Sequence, residues 1–267
     1  MKPIGIVSAL AAEARTLGPA ARRGAELRQL ADGALLAVSG IGEVAAAAAA
    51  RRLVLAGATA LASFGMAGGL DPALICGAVL LPEEIVAFDG AGAVVAVAAT
   101  SLAWRQRLRA ALPASRIVCG GRLLTSGRPV GRRDAKAAAW RDSRAAAVDM
   151  ESAAVAQVAG QAGLPFIVLR VIVDTAADEL PAAVLAASSG GQLRIGTLLA
   201  GLVRAPRDTA ALIRLSARYR IAKRVLADVA HPGSSARRAL TSGPCDANSM
   251  PPSREAHGRP GNERGSR

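Results

Sequence analysis

Residues 148–151 read Val-Asp-Met-Glu, and residues 164–174 read Leu-Pro-Phe-Ile-Val-Leu-Arg-Val-Ile-Val-Asp. The first run puts the carboxylate of Glu151 at the start of an apolar helix. The second puts Asp174 just past a strongly apolar strand. Strand ends and helix starts are where α/β folds gather their chemistry, because loops there ride on a rigid scaffold. Two acids reaching one cleft from different elements suit a reaction that builds positive charge on a sugar and protonates a leaving group. The rest of the inventory narrows the chemistry further. His231 and His257 both fall near the C-terminal end, so neither a Ser-His-Asp triad nor a His-ligated metal is expected in the folded part. Cys76, Cys119 and Cys245 form no CxxC pair, which points to a reducing cytoplasm rather than a disulfide framework.

The elements that must position these acids alternate along the chain. Pro3-Ile4-Gly5-Ile6-Val7 follows Met1-Lys2 directly and reads as a first strand, Ile4–Leu10, not as a signal peptide. A short helix over Ala11–Ala21 follows, then a hairpin of Leu27–Leu30 and Ala34–Val38. Ser39-Gly40-Ile41-Gly42 is a turn into an Ala-rich helix, Glu43–Ala56. Ala58–Phe64 reads as a buried strand feeding a glycine loop, and its glycines argue against a membrane span over Leu53–Leu70. Strands are predicted at Ala78–Leu81, Val94–Ala98, Arg116–Cys119 and Phe166–Val173. Helices are predicted at Leu102–Ala111 and Asp149–Ala162. This alternation predicts an α/β sandwich with helices on both faces of a mostly parallel sheet.

Of the 267 residues, 52% are hydrophobic but only 2% aromatic, so the core must be built from Ala, Val, Leu and Ile with close helix packing. The formal net charge of +13 would by itself suggest a polyanionic partner. The basic residues concentrate in 204–224 and 231–267, however, away from the acids. From His231 the composition turns to Pro, Gly, Ser, Asn and Arg, which reads as a disordered tail over 231–267 behind a folded domain over 1–230.

Lys2 to Glu13, Ser39-Gly40-Ile41-Gly42, Gly65-Met66-Ala67-Gly68-Gly69-Leu70 and Thr125-Ser126-Gly127 stand in a familiar order. With Val148-Asp149-Met150-Glu151-Ser152 and Arg170-Val171-Ile172-Val173-Asp174, they resemble the nucleoside phosphorylase and methylthioadenosine/S-adenosylhomocysteine nucleosidase superfamily. The resemblance spans about residues 2–175. Asp174-Thr-Ala-Ala-Asp-Glu-Leu-Pro181 and the basic stretch 196–229 resemble, more narrowly, the hopanoid-associated phosphorylases, which are linked to releasing adenine from adenosylhopane. The fold so implied is a three-layer α/β/α sandwich of the nucleoside phosphorylase type with a mostly parallel twisted sheet.

The resemblance also implies roles. Asp174 would protonate or hydrogen-bond the departing purine, which requires a raised pKa; as a plain residue it would cap a helix after the strand. Glu151 would accept hydrogen bonds from the ribose hydroxyls and favour an oxocarbenium-like transition state, or else simply favour a helix dipole. Met150 would pack under the sugar, or sit in the core. Glu13 would position water, or lie on a solvated helix face. Arg15, Arg170 and the backbone of Gly65, Gly68 and Gly69 would meet a phosphate, inorganic phosphate being the co-substrate of a phosphorylase. Arg170 serves equally as a structural ion pair. Ser126, Gly127 and Val130 would line the base pocket. Val130 stands where the family's stacking Phe falls, and Met66 where it often has Ser. No metal and no organic cofactor is implied, and a homo-oligomer is.

In 196–230, Leu198, Leu199, Leu202, Leu212, Ile213, Ile221, Val225 and Leu226 alternate with arginines, and Pro206 splits two helices. Such a basic amphipathic stretch either lies on an anionic membrane, as a lipid-linked substrate would want, or packs on the domain. The expectation is therefore a cytoplasmic purine-nucleoside-cleaving enzyme, peripheral at most to the inner face of the cell membrane, with no nucleic-acid partner. A hydrolytic methylthioadenosine/S-adenosylhomocysteine nucleosidase is the first rival. A non-catalytic basic protein that binds membrane or nucleic acid is the second.

Overall fold

The computed structural model describes residues 3–18, 27–115, 118–180 and 208–244. Eleven strands form one mixed sheet: β1 Gly5–Ser8, β2 Arg28–Gln29, β3 Leu35–Val38, β4 Leu61–Gly69, β5 Val79–Leu80, β6 Glu84–Phe88, β7 Val94–Ala99, β8 Val118–Cys119, β9 Arg122–Thr125, β10 Ala145–Asp149 and β11 Phe166–Asp174. The helices among the described residues are α1 Ala11–Leu17, α2 Glu43–Leu55, α3 Leu102–Ala111, α4 Arg133–Ser143, α5 Ser152–Gln161, α6 Asp208–Ala230 and α7 Ser235–Thr241.

The sheet runs β2-β3-β1-β4-β10-β9-β6-β7, and β11 also pairs with β4. Around the site, β1 pairs parallel with β3 and β4, and β11 runs parallel to β4. β10 reverses direction against β4, so the sheet is mixed at its centre. Period-two alternation splits the core into two layers. Ile167, Leu169 and Val171 of β11 point with Ile6, Ala62 and Phe64 toward α1, α3, α6 and α7. Phe166, Val168 and Ile172 point with Val7 and Leu61 toward α2 and α5. Alanines do the close packing that the composition predicted: Ala46, Ala49 and Ala50 of α2 are fully buried where that helix meets Ala153, Ala156 and Ala159 of α5.

Several sequence expectations change. Asp149 is not the first residue of a helix; it ends β10, and α5 begins at Ser152 with Glu151 as its N-cap. The strand Ala145–Asp149 is mostly alanine, which carries little β preference, and it is held by pairing on both sides. Helix α4, Arg-Asp-Ala-Lys-Ala-Ala-Ala-Trp-Arg-Asp-Ser, and strands β6 and β9 were not predicted. β4 runs on through Gly65, Gly68 and Gly69, so those glycines belong to a strand and not to a loop.

The C-terminal expectations change too. Residues 235–241 form helix α7, with Ala236, Arg237 and Leu240 buried, so the folded part extends past 231. Arg237 donates to the carbonyls of Leu17 (3.0 Å) and Ala230 (3.3 Å) and pairs with Asp32 at 2.6 Å. Ala222, Val225, Leu226 and Val229 of α6 are buried against the core. The predicted helix before Pro206 lies outside the described residues. Among the described residues, no helix is long and apolar enough to cross a membrane.

Candidate active site

Three buried acids surround the C-terminal half of β4. Glu13, Glu151 and Asp174 are 4%, 7% and 3% exposed, too little for any of them to be a solvated surface acid. Burial of this kind penalises the charged form, so each must be held by donors or cations.

Glu13 sits at the third position of α1 and turns its carboxylate back into the fold. Its Oε2 accepts from the Leu10 N–H at 3.1 Å, a capping interaction, and from Ser8 Oγ at 3.3 Å. Its Oε1 accepts from the Met66 N–H of β4 at 2.9 Å. Burial pushes its pKa up, while the Arg170 charge and these donors pull it down. Gly65 makes the arrangement sterically possible, because a β-carbon there would lie 2.9 Å from Oε2.

Asp149 fixes the Asp-Met-Glu segment. Its Oδ2 accepts from Arg170 Nε (3.0 Å) and Nη2 (2.7 Å), and its Oδ1 from Thr125 Oγ1 (2.8 Å) and the Ser152 N–H (3.3 Å). Arg170 Nη2 also reaches Ser63 Oγ (2.7 Å) and Ser152 Oγ (3.1 Å). The guanidinium is 3% exposed and engaged by these partners. Arg170 thus forms an ion pair with Asp149, one of the two roles expected of it. Asp149 had no expected role of its own, yet it ties β9, β10, β11 and the start of α5 together.

Glu151 follows from that anchor. Its Oε1 accepts the Gly42 N–H at 2.9 Å, 109 residues away along the chain. Gly42 holds φ at 98°, a conformation that favours glycine, and this aims its N–H at the acid. Burial and the neighbouring Asp149 charge push Glu151 up to about 7, with Arg170 opposing. The charge of Glu13 bears on Glu151 as well, so both acids belong to one electrostatic cluster. Met150, beside it, is half-buried.

Asp174 lies across β4 from this segment. In register, Gly68 pairs with Val148 on one side and Asp174 on the other. A β-carbon on Gly68 would stand 3.3 Å from Asp174 Oδ2. Burial raises the Asp174 pKa, and the Lys136 ammonium pulls it back. Lys136 Nζ donates to Asp174 Oδ2 and, at 2.8 Å, to the Thr175 carbonyl. Lys136 itself is fully buried on α4. It went unnoticed in the sequence because its helix was not predicted, and a lysine in an Arg/Ala/Asp-rich segment reads as surface.

The remaining predicted residues are dispersed. Gly65, Gly68 and Gly69 lie in β4 and not in a loop, and the Met66 N–H among them is taken by Glu13 Oε1. They clear space for Glu13 and Asp174 instead. Arg15 is exposed, and its charge bears on Tyr219 of α6, which also feels Glu13. The Ser126 N–H donates to the Asp149 carbonyl at 2.9 Å, so the Ser126-Gly127 turn abuts the acid segment. Val130 packs on the small buried cluster that includes Leu124 and Val148. Among the described residues, no group of three or more His, Cys, Asp or Glu is placed to hold a metal ion.

Known proteins with similar folds include nucleosidases and a futalosine hydrolase. A variant of the Helicobacter pylori 5′-methylthioadenosine/S-adenosylhomocysteine nucleosidase with 5′-methylthioadenosine in its active site matches with a TM-score of 0.58 at 20% identity, covering 82% of this chain and 98% of that one. The Neisseria meningitidis nucleosidase in complex with methylthio-immucillin-A matches with a TM-score of 0.58 at 22% identity, covering 82% and 100%. A futalosine hydrolase mutant of Helicobacter pylori matches with a TM-score of 0.57 at 21% identity, covering 76% and 99%. At these identities the likeness is one of fold. No curated protein matches the chain. The family model described as the phosphorylase superfamily matches residues 7–204, most of the chain, and the protein belongs to that superfamily.

Proposed function

We propose that this enzyme cleaves the N-glycosidic bond of a purine nucleoside, with Asp174 as the acid at the base and Glu151 as the anchor of the ribose hydroxyls. The observation that carries this reading is the placement of Asp174 and the Asp-Met-Glu segment on opposite sides of Gly68 at one strand end. A buried carboxyl with a raised pKa suits proton delivery to a leaving purine. A second buried carboxyl, held by a backbone N–H, suits charge-assisted hydrogen bonds to sugar hydroxyls. Negative charge there also favours an oxocarbenium-like transition state.

The substrate we propose is adenosylhopane, giving adenine and a ribosyl or phosphoribosyl hopane. Its support is the resemblance of residues 174–181 and of the basic C-terminal stretch to hopanoid-associated phosphorylases. The aliphatic Val130 in place of a stacking ring is also consistent with it. Hydrolysis of methylthioadenosine or S-adenosylhomocysteine is the second reading, and one observation favours water as the nucleophile: Arg170, an expected phosphate contact, is committed to Asp149, Ser63 and Ser152. Glu13, buried with three donors, is the group we assign to position that water.

The test is incubation of the purified protein with adenosylhopane and, separately, methylthioadenosine, with and without phosphate, followed by product masses. Adenine release with Asp174→Ala at least 10²-fold slower is expected for an acid of this type. Undiminished turnover by that variant would remove Asp174 from the role. A phosphate-independent rate and a free ribosyl product decide for hydrolysis.

A further inference from the structure

We propose that Lys136 is the proton reservoir for Asp174, so that the purine's proton is held by the lysine–aspartate pair and not by the carboxyl alone. The inference rests on the nucleoside-cleaving reading and adds to it a residue on an element that carries none of the expected site residues.

The starting observation is geometric. Lys136 is wholly buried, and its ammonium lies on Asp174 Oδ2 and on the Thr175 carbonyl. An ammonium against a carboxylate favours the ionised acid. Burial opposes that pull and favours the protonated acid. Whenever the pair stands as ammonium and carboxylate, its transferable proton rests on Lys136 Nζ, and an amine, unlike a guanidinium, can pass it on. The pair then holds one transferable proton over a wider pH range than a lone carboxyl does.

The step balances as follows. The C1′–N bond breaks heterolytically and its electron pair goes to the purine. The pair's one proton passes from Lys136 Nζ to the Asp174 carboxylate and on from that carboxyl to the purine nitrogen, which leaves Asp174 ionised. Lys136 is left as a neutral amine. Attacking water adds its oxygen to C1′, and its surplus proton restores the ammonium. Hydrogen phosphate in place of water releases its proton in the same way.

The other charged groups facing the pair come from three elements. Asp178 follows β11, and its charge raises Asp174 further. Arg218 of α6 pairs with Asp178 at 2.6 Å and offsets that charge. Cys76 donates from its Sγ to the Arg218 carbonyl at 3.5 Å, and burial holds its thiol above the ordinary range. Among the described residues, Lys136 is the cation hydrogen-bonded to the Asp174 carboxyl, and these other groups stand further off.

Two variants test the relay, with methylthioadenosine as the probe and adenine release as the readout. Lys136→Arg keeps the positive charge and the hydrogen bond but cannot release its proton. Its expected effect is a fall in kcat on the order of 10²-fold or more, with KM little changed and an unaltered circular dichroism spectrum. Lys136→Met keeps the shape and leaves Asp174 as a lone buried carboxyl. Its kcat/KM is expected to fall as pH rises through the Asp174 pKa, adding a basic limb at a pH where the wild type is flat. Wild-type kcat in Lys136→Arg, or a wild-type pH profile in Lys136→Met, overturns the relay while leaving nucleoside cleavage intact. Should one variant not fold, the other decides. A wild-type protein that releases no purine from any nucleoside offered removes the functional reading, and the relay with it.

Discussion

Gly65 and Glu13 are matched by shape: the glycine's missing side chain is the space the carboxylate occupies. An ideal β-carbon on Gly65 would meet Oε2 at 2.9 Å and both Cδ and Oε1 at 3.0 Å. Gly65→Ala is thus expected to drive Glu13 off the Met66 N–H, at a cost of about 1–3 kcal/mol in stability. Displacing a positioned group by about 1 Å lowers turnover on the order of 10²-fold. Denaturant unfolding and purine-release kinetics on the one variant measure both effects. Wild-type values in both would show that Glu13 shifts without consequence.

Glu151 links activity and stability to pH in opposite senses. Its carboxyl, ordinarily at 4.5, is pushed up to about 7, chiefly by burial. As an acceptor for sugar hydroxyls it must be ionised, so kcat/KM is expected to fall below about pH 7. For stability the sign reverses. Below 4.5 the group is protonated in both folded and unfolded chains; between 4.5 and about 7 only the unfolded chain ionises it, so stability declines as pH rises across that window. The full penalty above it is about 3 kcal/mol at 1.36 kcal/mol per unit. Glu151→Gln is therefore expected to melt higher than wild type at pH 8 and nearly equally at pH 4, while losing activity. Parallel melting curves at the two pH values check the sign.

Arg170 is predicted to matter for folding before it matters for chemistry. Arg170→Met strands the carboxylate of Asp149 in a dry interior, and breaking such a pair costs about 3–5 kcal/mol. Chemical denaturation of this variant should show a much lower midpoint. Arg170→Met with Asp149→Leu in the same chain should recover part of the loss, since it removes the orphaned charge. A midpoint unchanged in the single variant would mean that water reaches Asp149.

The residues after Ala230 are predicted to be structural as far as α7 extends. A chain ending at Ala230 loses the buried side chains of Ala236 and Leu240, the Arg237 contacts, and the Ala239 carbonyl that accepts from Trp104 Nε1 at 2.8 Å. The buried leucine and the orphaned indole together imply a loss of about 3 kcal/mol or more. Thermal melting of that truncation measures it, and an unchanged midpoint would mean that α7 packs without adding stability.

How much of this was legible in the sequence depends on what each residue's signal rests on. β11 and α3 were plain, because an unbroken apolar strand and a helix stopped before Pro113 carry their own boundaries. The acids Glu151 and Asp174 were visible through motif spacing. β10 was hidden because Ala-Ala-Ala-Val-Asp takes its conformation from its neighbours. α4 was hidden because its charged residues mask a helix that buries Lys136, Ala139 and Ser143. Lys136 and Asp149 owe their places to contacts with residues 38 and 21 positions away, and periodicity does not report contacts of that range. The glycines of β4 were read by composition as a loop, whereas the acids packed against them keep that strand free of side chains.

The grip of Arg237 on Leu17 and Asp32 has a consequence for biosynthesis. During translation the first helix and first hairpin emerge long before their partner does. Until α7 has left the ribosome, the Leu17 carbonyl lacks this guanidinium donor and the Trp104 indole lacks its Ala239 acceptor. The layer built on α1 is therefore completed by a segment made 220 residues after Leu17, and a nascent chain stalled short of α7 carries that layer unfinished.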